Sequence, residues 1–522
     1  MNLRRQHKLS SLGVCFFLVM FCVSGVLLNH SDEIADCEVS RAVLPPFYRY
    51  EGWNGGLLRG TTRMPDGQIA VYGRNGIWLT DSTGRGFADY NAGLPEAAHH
   101  RNIRALVKAA DGTLFAVATT GLYRRGASGE ERVEMWQPVE LAREGGEALS
   151  DAIVRGDSLI VVGRSALYVA ERPWNKFERI TLAAPAGEER LGLSAFRAVW
   201  LFHSGQLFGL PGILVADAVA LIMIFLCVTG LIMTLLPRRI RRRGPKPRLV
   251  STLRRTMSWH SNVGLYSIAL TLIVCISGWC LRPPVLIALA TAKTKLAAEE
   301  ANPWHDRLRM IRYYDDGGRW LLSTSEGFYE LKSLDVQPQR LESQPPVSVM
   351  GLNVFERSAG GTRGEWLVGS FSGLFVWNTV SGDVRDYFTG EAVSPKPGPP
   401  FGRTAVSGYS DDFGRRGEAS IVTFDNGVIA GPMPAQPAEF ETLPMSLANF
   451  ALEIHTGRIY FGNAATWFFV FIAGAAAAWS LITGLLLAVR RRRGKKCRFR
   501  DRGGSVWCRG RRRSRSGNRL SR

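Results

Sequence analysis

The sequence predicts a membrane protein in which four apolar helices carry an all-β domain that is divided into two insertions. Three observations predict this class. Four apolar runs each approach the roughly 20 residues that cross a bilayer core. Long polar segments separate these runs, and both segments contain the same strand-turn-strand repeat. We therefore expect a four-helix transmembrane bundle, made of a duplicated pair of helices, and a six-bladed β-propeller built from two three-blade insertions.

The apolar runs also set the predicted domain boundaries. Each run is long enough to cross the membrane at the α-helical rise of about 1.5 Å per residue. The predicted segments are a cytoplasmic N-terminus (1–11), span one (12–28), an outer segment with blades one to three (29–202), span two with a preceding histidine motif (203–236), a basic cytoplasmic loop (237–259), span three (260–281), an outer segment with blades four to six (282–454), span four with a second histidine motif (455–489) and an arginine-rich cytoplasmic tail (490–522).

Lysine and arginine residues near the apolar runs predict the orientation. Arg4, Arg5 and Lys8 precede span one, and nine further basic residues lie between spans two and three. Because cytoplasmic loops carry the excess of Lys and Arg, both termini are expected in the cytoplasm and both outer segments outside it. The tail carries sixteen Lys or Arg and one acid, +15 of the net +20. We interpret it as a topology anchor near membrane lipid and assign it no nucleic-acid function.

The first apolar run has two interpretations. Its basic start and apolar stretch are typical of a signal peptide. No small-x-small cleavage site follows position 28 closely, however, and the equivalent run in the second half is internal. We therefore expect an uncleaved anchor.

The eight cysteines predict no disulfide framework. Four lie in the spans and two in the tail, so that only Cys37 and Cys280 remain on the outer side. A bridge between these two is compatible with an oxidising compartment and is left open.

The outer segments contain six copies of one pattern, in which a Gly/Asp turn and a short alternating strand precede a small residue and an apolar or aromatic pair. A period of about 40–50 residues with short strands and glycine turns is typical of propeller blades. Three blades alone do not close a ring, which favours one composite six-bladed propeller over two β-sandwich-like modules. The small pivot residues, 45, 45, 161, 46 and 54 residues apart, are Gly76, Gly121, Ala166, Gly327, Gly373 and Gly427.

Four histidines recur in the register of an internal repeat. His7 and His260 each lie seventeen residues before a Ser-Gly pair, whereas His203 and His455 each open a returning span in an H-[S/T]-G motif. Parallel repeats place equivalent residues on facing sides of a pseudo-twofold axis, so we expect an inner and an outer histidine pair. Ionisable residues at membrane-helix ends often mark cofactor sites, although an isolated histidine there is commonly an interfacial polar residue. His30 has no counterpart, and we interpret it as either a spare ligand or an interfacial residue.

Two facing imidazoles suit the two axial positions of a haem iron. Small residues that follow these histidines are predicted to make room for the haem ring. They are Gly205, Gly209, Gly457, Gly462 and Gly264. No C-x-x-C-H sequence occurs, so any haem is expected to be non-covalent haem b, one or two per chain, with its iron as the only metal. The candidate axial ligands, in falling order, are His203, His455, His260, His7 and His30.

The histidine segments resemble the PepSY-associated transmembrane family, over about a quarter of the chain. The resemblance implies an inner-membrane protein, some relatives being haem-containing reductases of iron-siderophore complexes, and it matches His203, His260 and His455, with His7 a looser match. The propeller replaces the PepSY modules of relatives. The segments are H-K-L-S-S-L-G…S-G-V-L-L-N-H (7–30), F-H-S-G-Q-L-F-G-L-P-G…T-G-L (202–231), W-H-S-N-V-G…S-G-W-C-L-R-P-P (259–284) and I-H-T-G-R-I-Y-F-G…T-G-L (454–485).

These observations predict a protein that passes electrons across the membrane to a periplasmic acceptor, with reduction of an iron chelate as the oxidoreductase activity implied by the resemblance. The cytoplasmic segments are too short to fold a nicotinamide or flavin domain, so the electron donor is expected to be a membrane quinol or a separate protein. The alternative is a membrane-anchored propeller that binds a ligand or partner protein as a sensor or scaffold, without redox activity.

Overall fold

A computed structural model describes residues 2–500, with gaps at 128–131, 186–191, 283, 298–301, 316, 349–350, 359–360, 394–401, 403 and 416. The chain divides into two compact units. The helical unit contains Met1–Val26, Trp200–Pro283 and Ala465–Arg522, and the β unit contains Leu27–Val199 and Pro284–Ala464. Both halves of the sequence therefore contribute to both units.

Seven α-helices occur among the described residues. Four are long and apolar enough to cross a membrane, over Leu3–Asn29, Gln206–Arg243, Pro247–Cys280 and Ala465–Arg492. The helices are α1 (Leu3–Asn29), α2 (Ala195–Ser204), α3 (Gly209–Arg243), α4 (Pro247–Cys280), α5 (Val285–Thr291), α6 (Leu447–His455) and α7 (Arg458–Arg500), the last interrupted at Gly462.

The helical unit has small polar side chains inside and large apolar side chains outside. Phe16, Leu221 and Phe468 are more than half exposed. The buried hydroxyls donate to carbonyls three or four residues earlier in their own helices, so none depends on water. This arrangement suits a lipid environment, in which polar groups must be satisfied within the protein. The buried residues are Ser24, Thr229, Thr271, Ser277 and Thr483.

Helices from the two halves pack against each other. α3 packs against α4. The Phe17 ring of α1 lies 4.6 Å from that of Phe469 on α7. The Trp279 ring of α4 lies 5.3 Å from that of Phe471, also on α7. The predicted four-helix bundle is therefore confirmed.

The helices are longer than the predicted spans. α1 begins at Leu3 and α4 at Pro247, so His7 and His260 lie within helices and not before them. Hydropathy detects only the apolar part of a helix, whereas the backbone hydrogen bonds continue through its basic and polar ends. The thiols of Cys37 and Cys280 are free.

Six antiparallel sheets of three or four strands occur in the described part of the β unit, and their strands follow the chain in order. Five sheets have four strands and the sixth has three among the described residues. The sheets are blade one (Gly60–Arg63, Ile69–Gly73, Gly76–Thr80, Ala88–Asp89), blade two (Ile103–Lys108, Leu114–Ala118, Gly121–Ala127, Arg132–Val139), blade three (Leu149–Arg155, Ser158–Gly163, Leu167–Glu171, Glu178–Ile180), blade four (Leu308–Tyr314, Arg319–Thr324, Gly327–Leu331, Gln339–Arg340), blade five (Leu352–Arg357, Glu365–Ser370, Gly373–Asn378, Val384–Asp386) and blade six (Val406–Ser410, Ser420–Thr423, Gly427–Ala430).

Each pivot residue stands where the third strand of its blade starts. Five of the six are the first residue of that strand, and Ala166 directly precedes it. Gly327 and Gly373 both have φ +142°, a conformation that side chains rarely adopt. The glycine repeat therefore reflects the turn between the second and third strands. Two further strand pairs, Glu38–Val39 with Met445–Ser446 and Gly192–Ser194 with Lys293–Ala297, join the insertions outside the blades.

The first strands of the six blades form a closed ring. Each contacts the first strand of the next blade, and that of blade six contacts that of blade one. Residues before blade one complete the closure, because Val428 N–H donates to Gly52 O at 2.8 Å and Gly55 N–H donates to Phe424 O at 2.8 Å. The six-bladed propeller of two three-blade insertions is confirmed, and the alternative of two β-sandwich-like modules is wrong.

Six hydrophobic clusters fill the interfaces between successive blades. Two of them join the insertions: one packs blade three against blade four, and the other packs blade six against blade one. In the first, Ile160 and Leu167 meet Trp304 and Ile311. Neither insertion can bury its end blades alone, so the propeller requires both.

A buried ion pair also joins the insertions. Arg312 Nη1 of blade four donates to Asp151 Oδ2 of blade three at 2.7 Å, and Arg312 Nη2 donates to Glu356 Oε1 of blade five at 3.0 Å. Asp151 is 1% exposed, and it also accepts from the N–H of Ile311. Removal of one partner would leave a buried charge without compensation.

We expect Arg312→Met to lower the free energy of unfolding by about 3–5 kcal/mol, because the Asp151 carboxylate loses its charge partner. The measurement is the melting temperature of the full-length protein in detergent. The control is Arg319→Met in the same blade, where an exposed pair with Glu330 at 2.7 Å is removed, at a cost below about 1 kcal/mol. Equal effects of the two substitutions would contradict this account.

Candidate functional site

His7 lies near the start of α1 and is held by α7. Its Nδ1 is 3.0 Å from Ser480 O and 3.2 Å from Thr483 Oγ1. A carbonyl oxygen only accepts hydrogen bonds, so Nδ1 must carry the proton. The hydrogen-bond partners thus assign the Nδ1–H tautomer to neutral His7, and the lone pair of the ring is on Nε2.

His260 is held in the same way by the other half of the repeat. Its Nδ1 is 2.8 Å from Thr229 Oγ1 on α3. The Thr229 hydroxyl donates to Phe225 O at 2.7 Å, so its oxygen accepts the proton of His260 Nδ1. His260 therefore also presents the Nε2 lone pair. The two contacts are repeat equivalents, because Thr229-Gly230 and Thr483-Gly484 are the two T-G pairs of the returning spans.

The His7 and His260 rings form a pair within the bundle. Their centroids are 6.3 Å apart and their planes are inclined by 69°. A metal–imidazole nitrogen bond of about 2 Å places the ring centroid roughly 3 Å from the metal, so one ion between two rings requires a centroid separation of roughly 6 Å. The same separation falls in the range of edge-to-face ring contacts. The ring separation is therefore compatible both with an edge-to-face contact and with two ligands of one metal ion.

His203 is held by the Ser-Gly pair of α4. The imidazole lies in the last turn of α2, with Nδ1 3.1 Å from Ser277 Oγ. The Ser277 hydroxyl has the carbonyl of Val274 as an acceptor at 3.1 Å. Ser277 can therefore receive the Nδ1 proton, as Thr229 does for His260.

Glycines opposite the imidazoles provide the space that these rings occupy. A Cβ added at Gly278 would lie 2.6 Å from His203 Cε1, closer than real Cβ contacts allow. A Cβ at Gly484 would lie 3.1 Å from His7 Cε1, which is also tight, whereas one at Gly230 would lie at an ordinary 3.7 Å from His260 Cε1. Each of these three histidines thus contacts a Ser-Gly or Thr-Gly pair on a helix of the other half of the sequence.

The glycines that the sequence predicts to make room for a haem follow the histidines along the chain and differ from those that face the imidazoles. Gly205, Gly209, Gly457 and Gly462 have φ between +61° and +83°, so they interrupt the helices after the histidines. A Cβ at Gly264 would meet Leu226 at 3.6 Å, an ordinary contact. The sequence signal for these contacts is the recurrence of the hydroxyl-glycine pair in the facing helices.

The two remaining candidates lie in the β unit. His455 is the last residue of α6 and is partly exposed. The adjacent Glu453 accepts hydrogen bonds from Tyr48 and Arg458, which fixes this helix end. His30 Nδ1 lies 3.5 Å from Glu33 Oε1, with the histidine partly exposed and the glutamate exposed. A surface ion pair is the usual environment of an interfacial histidine.

The fold and the histidine contacts define a multi-pass membrane protein with a duplicated helical unit and a composite propeller. The profile of the PepSY-associated TM region matches residues 173–491, more than half of the chain. The chain belongs to this family.

Comparison with other known proteins gave distant similarities. No curated protein matches the chain. The extracellular domain of a hybrid two-component system from B. thetaiotaomicron is 10% identical, with a TM-score of 0.35 over 73% of this chain and 32% of that chain. YCF48 from Cyanidioschyzon merolae is 9% identical, with a TM-score of 0.32 over 75% of this chain and 87% of that chain. The chain thus spans about a third of the first protein.

Proposed function

We propose that this protein is a b-type haem protein of a bacterial inner membrane that passes electrons across the membrane to a periplasmic acceptor. His7 and His260 would be the axial ligands of an inner haem. His203 and His455 would be those of an outer haem. The acceptor is proposed to be a ferric or other metal chelate, which makes the protein a membrane oxidoreductase.

The arrangement of His7 and His260 is the observation that carries this proposal. Both rings donate from Nδ1 to oxygen acceptors on neighbouring helices, so Nε2 is the nitrogen whose lone pair could bind a metal. Metal-binding histidines typically donate their other N–H to a carbonyl or another oxygen, which fixes the tautomer and raises the basicity of the ligand. Haem would supply one-electron chemistry, while the chain supplies ligation, orientation and burial.

The assignment of the outer pair depends on the repeat. His203 and His455 occupy equivalent H-[S/T]-G motifs. His203 has the same type of support as the inner histidines, from Ser277 and Gly278. If His203 and His455 bind a haem as a pair, as proposed for His7 and His260, the chain binds two haems.

The proposed topology places both termini in the cytoplasm and both insertions in the periplasm. The last turn of α3 contains Arg241, Arg242 and Arg243, Lys246 lies in the short loop before α4, and Arg248 lies in the first turn of α4. This excess of positive charge is typical of cytoplasmic loops. Electrons would then enter from a membrane quinol or a separate protein and leave on the periplasmic side.

We expect Thr229→Val to weaken haem binding at the inner site by about 10–100-fold, because the isosteric side chain removes the acceptor of His260 Nδ1–H. Haem titration of the apoprotein measures this change. The control is Thr271→Val, which removes a buried hydroxyl that bonds only to carbonyls of its own helix. An equal loss in both variants would mean that Thr229 acts only through helix packing.

The proposed function is tested by the reduced-minus-oxidised spectrum of the detergent-purified protein, together with its haem-to-protein ratio. We expect a b-type spectrum and about two haems per chain. A reductase assay with a ferric chelate and a quinol then tests the reaction. A colourless, folded protein from cells supplied with haem would contradict the proposal and favour the anchored propeller that binds a ligand or partner protein.

A further inference from the structure

Five arginines converge inside the propeller ring and are called the arginine cluster here. Arg59 directly precedes the first strand of blade one, and Arg104 and Arg309 lie at the start of the first strands of blades two and four. Arg74 and Arg164 lie in the turns between the second and third strands of blades one and three. Because strand one begins where strand two ends, as in the pairing of Gly60 with Tyr72, all five lie at the same end of the blades.

The positive charge of this cluster is only partly compensated. Arg164 Nε lies 3.9 Å from Asp306 Oδ1, and Arg309 Nη1 donates to backbone carbonyls. Asp151, the other nearby acid, is engaged by Arg312 at 2.7 Å. Asp306 also pairs with Arg197 at 3.5 Å, and the buried Oδ1 of Asp151 has no hydrogen-bond partner in the described part of the chain. The five guanidinium groups are therefore in excess over the two carboxylates near them.

Several donors of the cluster are unused. The buried Nε atoms of Arg59, Arg74 and Arg309 have no hydrogen-bond partner among the described residues. Arg309 is 7% exposed. In native proteins buried donors are nearly always satisfied, so a group of unsatisfied N–H donors indicates a missing acceptor.

The electrostatic environment agrees with this geometry. Burial, followed by the charges of neighbouring arginines, lowers the pKa of Arg104 to about 10 and that of Arg309 to about 9. The pKa of Arg59 is lowered well below its ordinary value for the same reasons. An arginine keeps its charge in a protein, so a bound anion, and not deprotonation, would relieve the repulsion between these guanidinium groups. Arg59, Arg74, Arg104 and Arg164 are partly exposed, so a ligand can reach them.

We propose that the arginine cluster binds a small soluble oxyanion with two or more carboxylate or phosphate groups. Guanidinium groups bind such oxygens in bidentate pairs, and donors from four blades suit several oxygens on one molecule. The position within the ring of strands favours a soluble anion over the headgroup of a lipid in a bilayer. This inference is independent of haem, because none of the five arginines belongs to the helical unit.

The test measures the melting temperature of the full-length protein in detergent at low salt, with millimolar pyrophosphate or citrate. We expect both anions to raise the melting temperature by several degrees, and acetate to have little effect. Arg104→Gln should reduce the affinity for pyrophosphate by roughly tenfold. Its guanidinium makes no hydrogen bond in the described part of the chain, so the substitution removes no hydrogen bond of the fold.

A second readout separates anion binding from a structural role. Without added anion, Arg104→Gln should melt at a higher temperature than the unaltered protein, because it removes like-charge repulsion. Arg85→Gln, an exposed surface arginine of blade one, is the matched control and should behave like the unaltered protein in both assays. Arg164→Gln is the second cluster variant.

Three outcomes would overturn the proposal. The first is a melting temperature that neither pyrophosphate nor citrate raises. The second is unchanged pyrophosphate affinity in both Arg104→Gln and Arg164→Gln. The third is stabilisation only by phosphatidylglycerol in nanodiscs, which would make the ligand a lipid headgroup. Because the first readout uses the unaltered protein, it remains decisive even if a variant fails to fold.

Discussion

Replacing His260 by alanine is expected to remove one haem per chain and to abolish electron transfer from a quinol to the acceptor. The haem-to-protein ratio should fall from about two to about one, because the inner iron loses an axial ligand while the outer site stays intact. His7→Ala should give the same result, since the two rings form one pair at 6.3 Å. Pyridine haemochrome analysis of the purified variants measures the ratio.

The control for both substitutions is His305→Ala, in the β unit, which removes an imidazole outside the bundle. It should retain about two haems. If His260→Ala keeps the full haem content while the protein folds normally, the inner pair does not bind haem. The ring contact between His7 and His260 would then be a packing interaction.

Replacing Gly278 by alanine is expected to disrupt the outer site alone. The new Cβ would lie 2.6 Å from His203 Cε1, so the imidazole must move. Overpacking of this kind costs about 1–3 kcal/mol, and the displaced ring loses its hydrogen bond to Ser277. The haem-to-protein ratio should fall to about one, with the inner haem unchanged.

Gly264→Ala on the same helix is the matched control, because its Cβ would meet Leu226 at an ordinary 3.6 Å. It should retain about two haems. A normal outer haem in Gly278→Ala would mean that the position of His203 is not critical for ligation. Equal haem loss in both glycine variants would indicate general disruption of α4.

The architecture could be predicted because it is encoded in local periodicity. Runs of apolar residues identify the four long helices, and the small residue that starts each third strand identifies the blades. No periodic pattern in the sequence indicates how the ring closes. Residues around Gly52 and Gly55 contact blade six without forming a regular strand. Contacts of this kind join distant parts of the sequence and leave no repeating pattern.

The site could be predicted only in outline. The repeat identified His7 and His260 as equivalent residues, and the structure brings their rings together. The partners that orient them, Thr229 and Thr483, lie on other helices, and the repeat marks these two threonines as equivalent without showing which side chains they contact. The arginine cluster was missed for the same reason, since it joins residues from four blades.

The most direct test of the account is the low-temperature electron paramagnetic resonance spectrum of the oxidised His203→Ala/His455→Ala double variant. This variant lacks the proposed outer ligands, so any remaining haem must be bound elsewhere. The account predicts one low-spin ferric signal typical of two imidazole ligands, which disappears when His260→Ala is added. A high-spin signal, or a folded double variant without haem, would contradict the assignment of His7 and His260 as an axial pair.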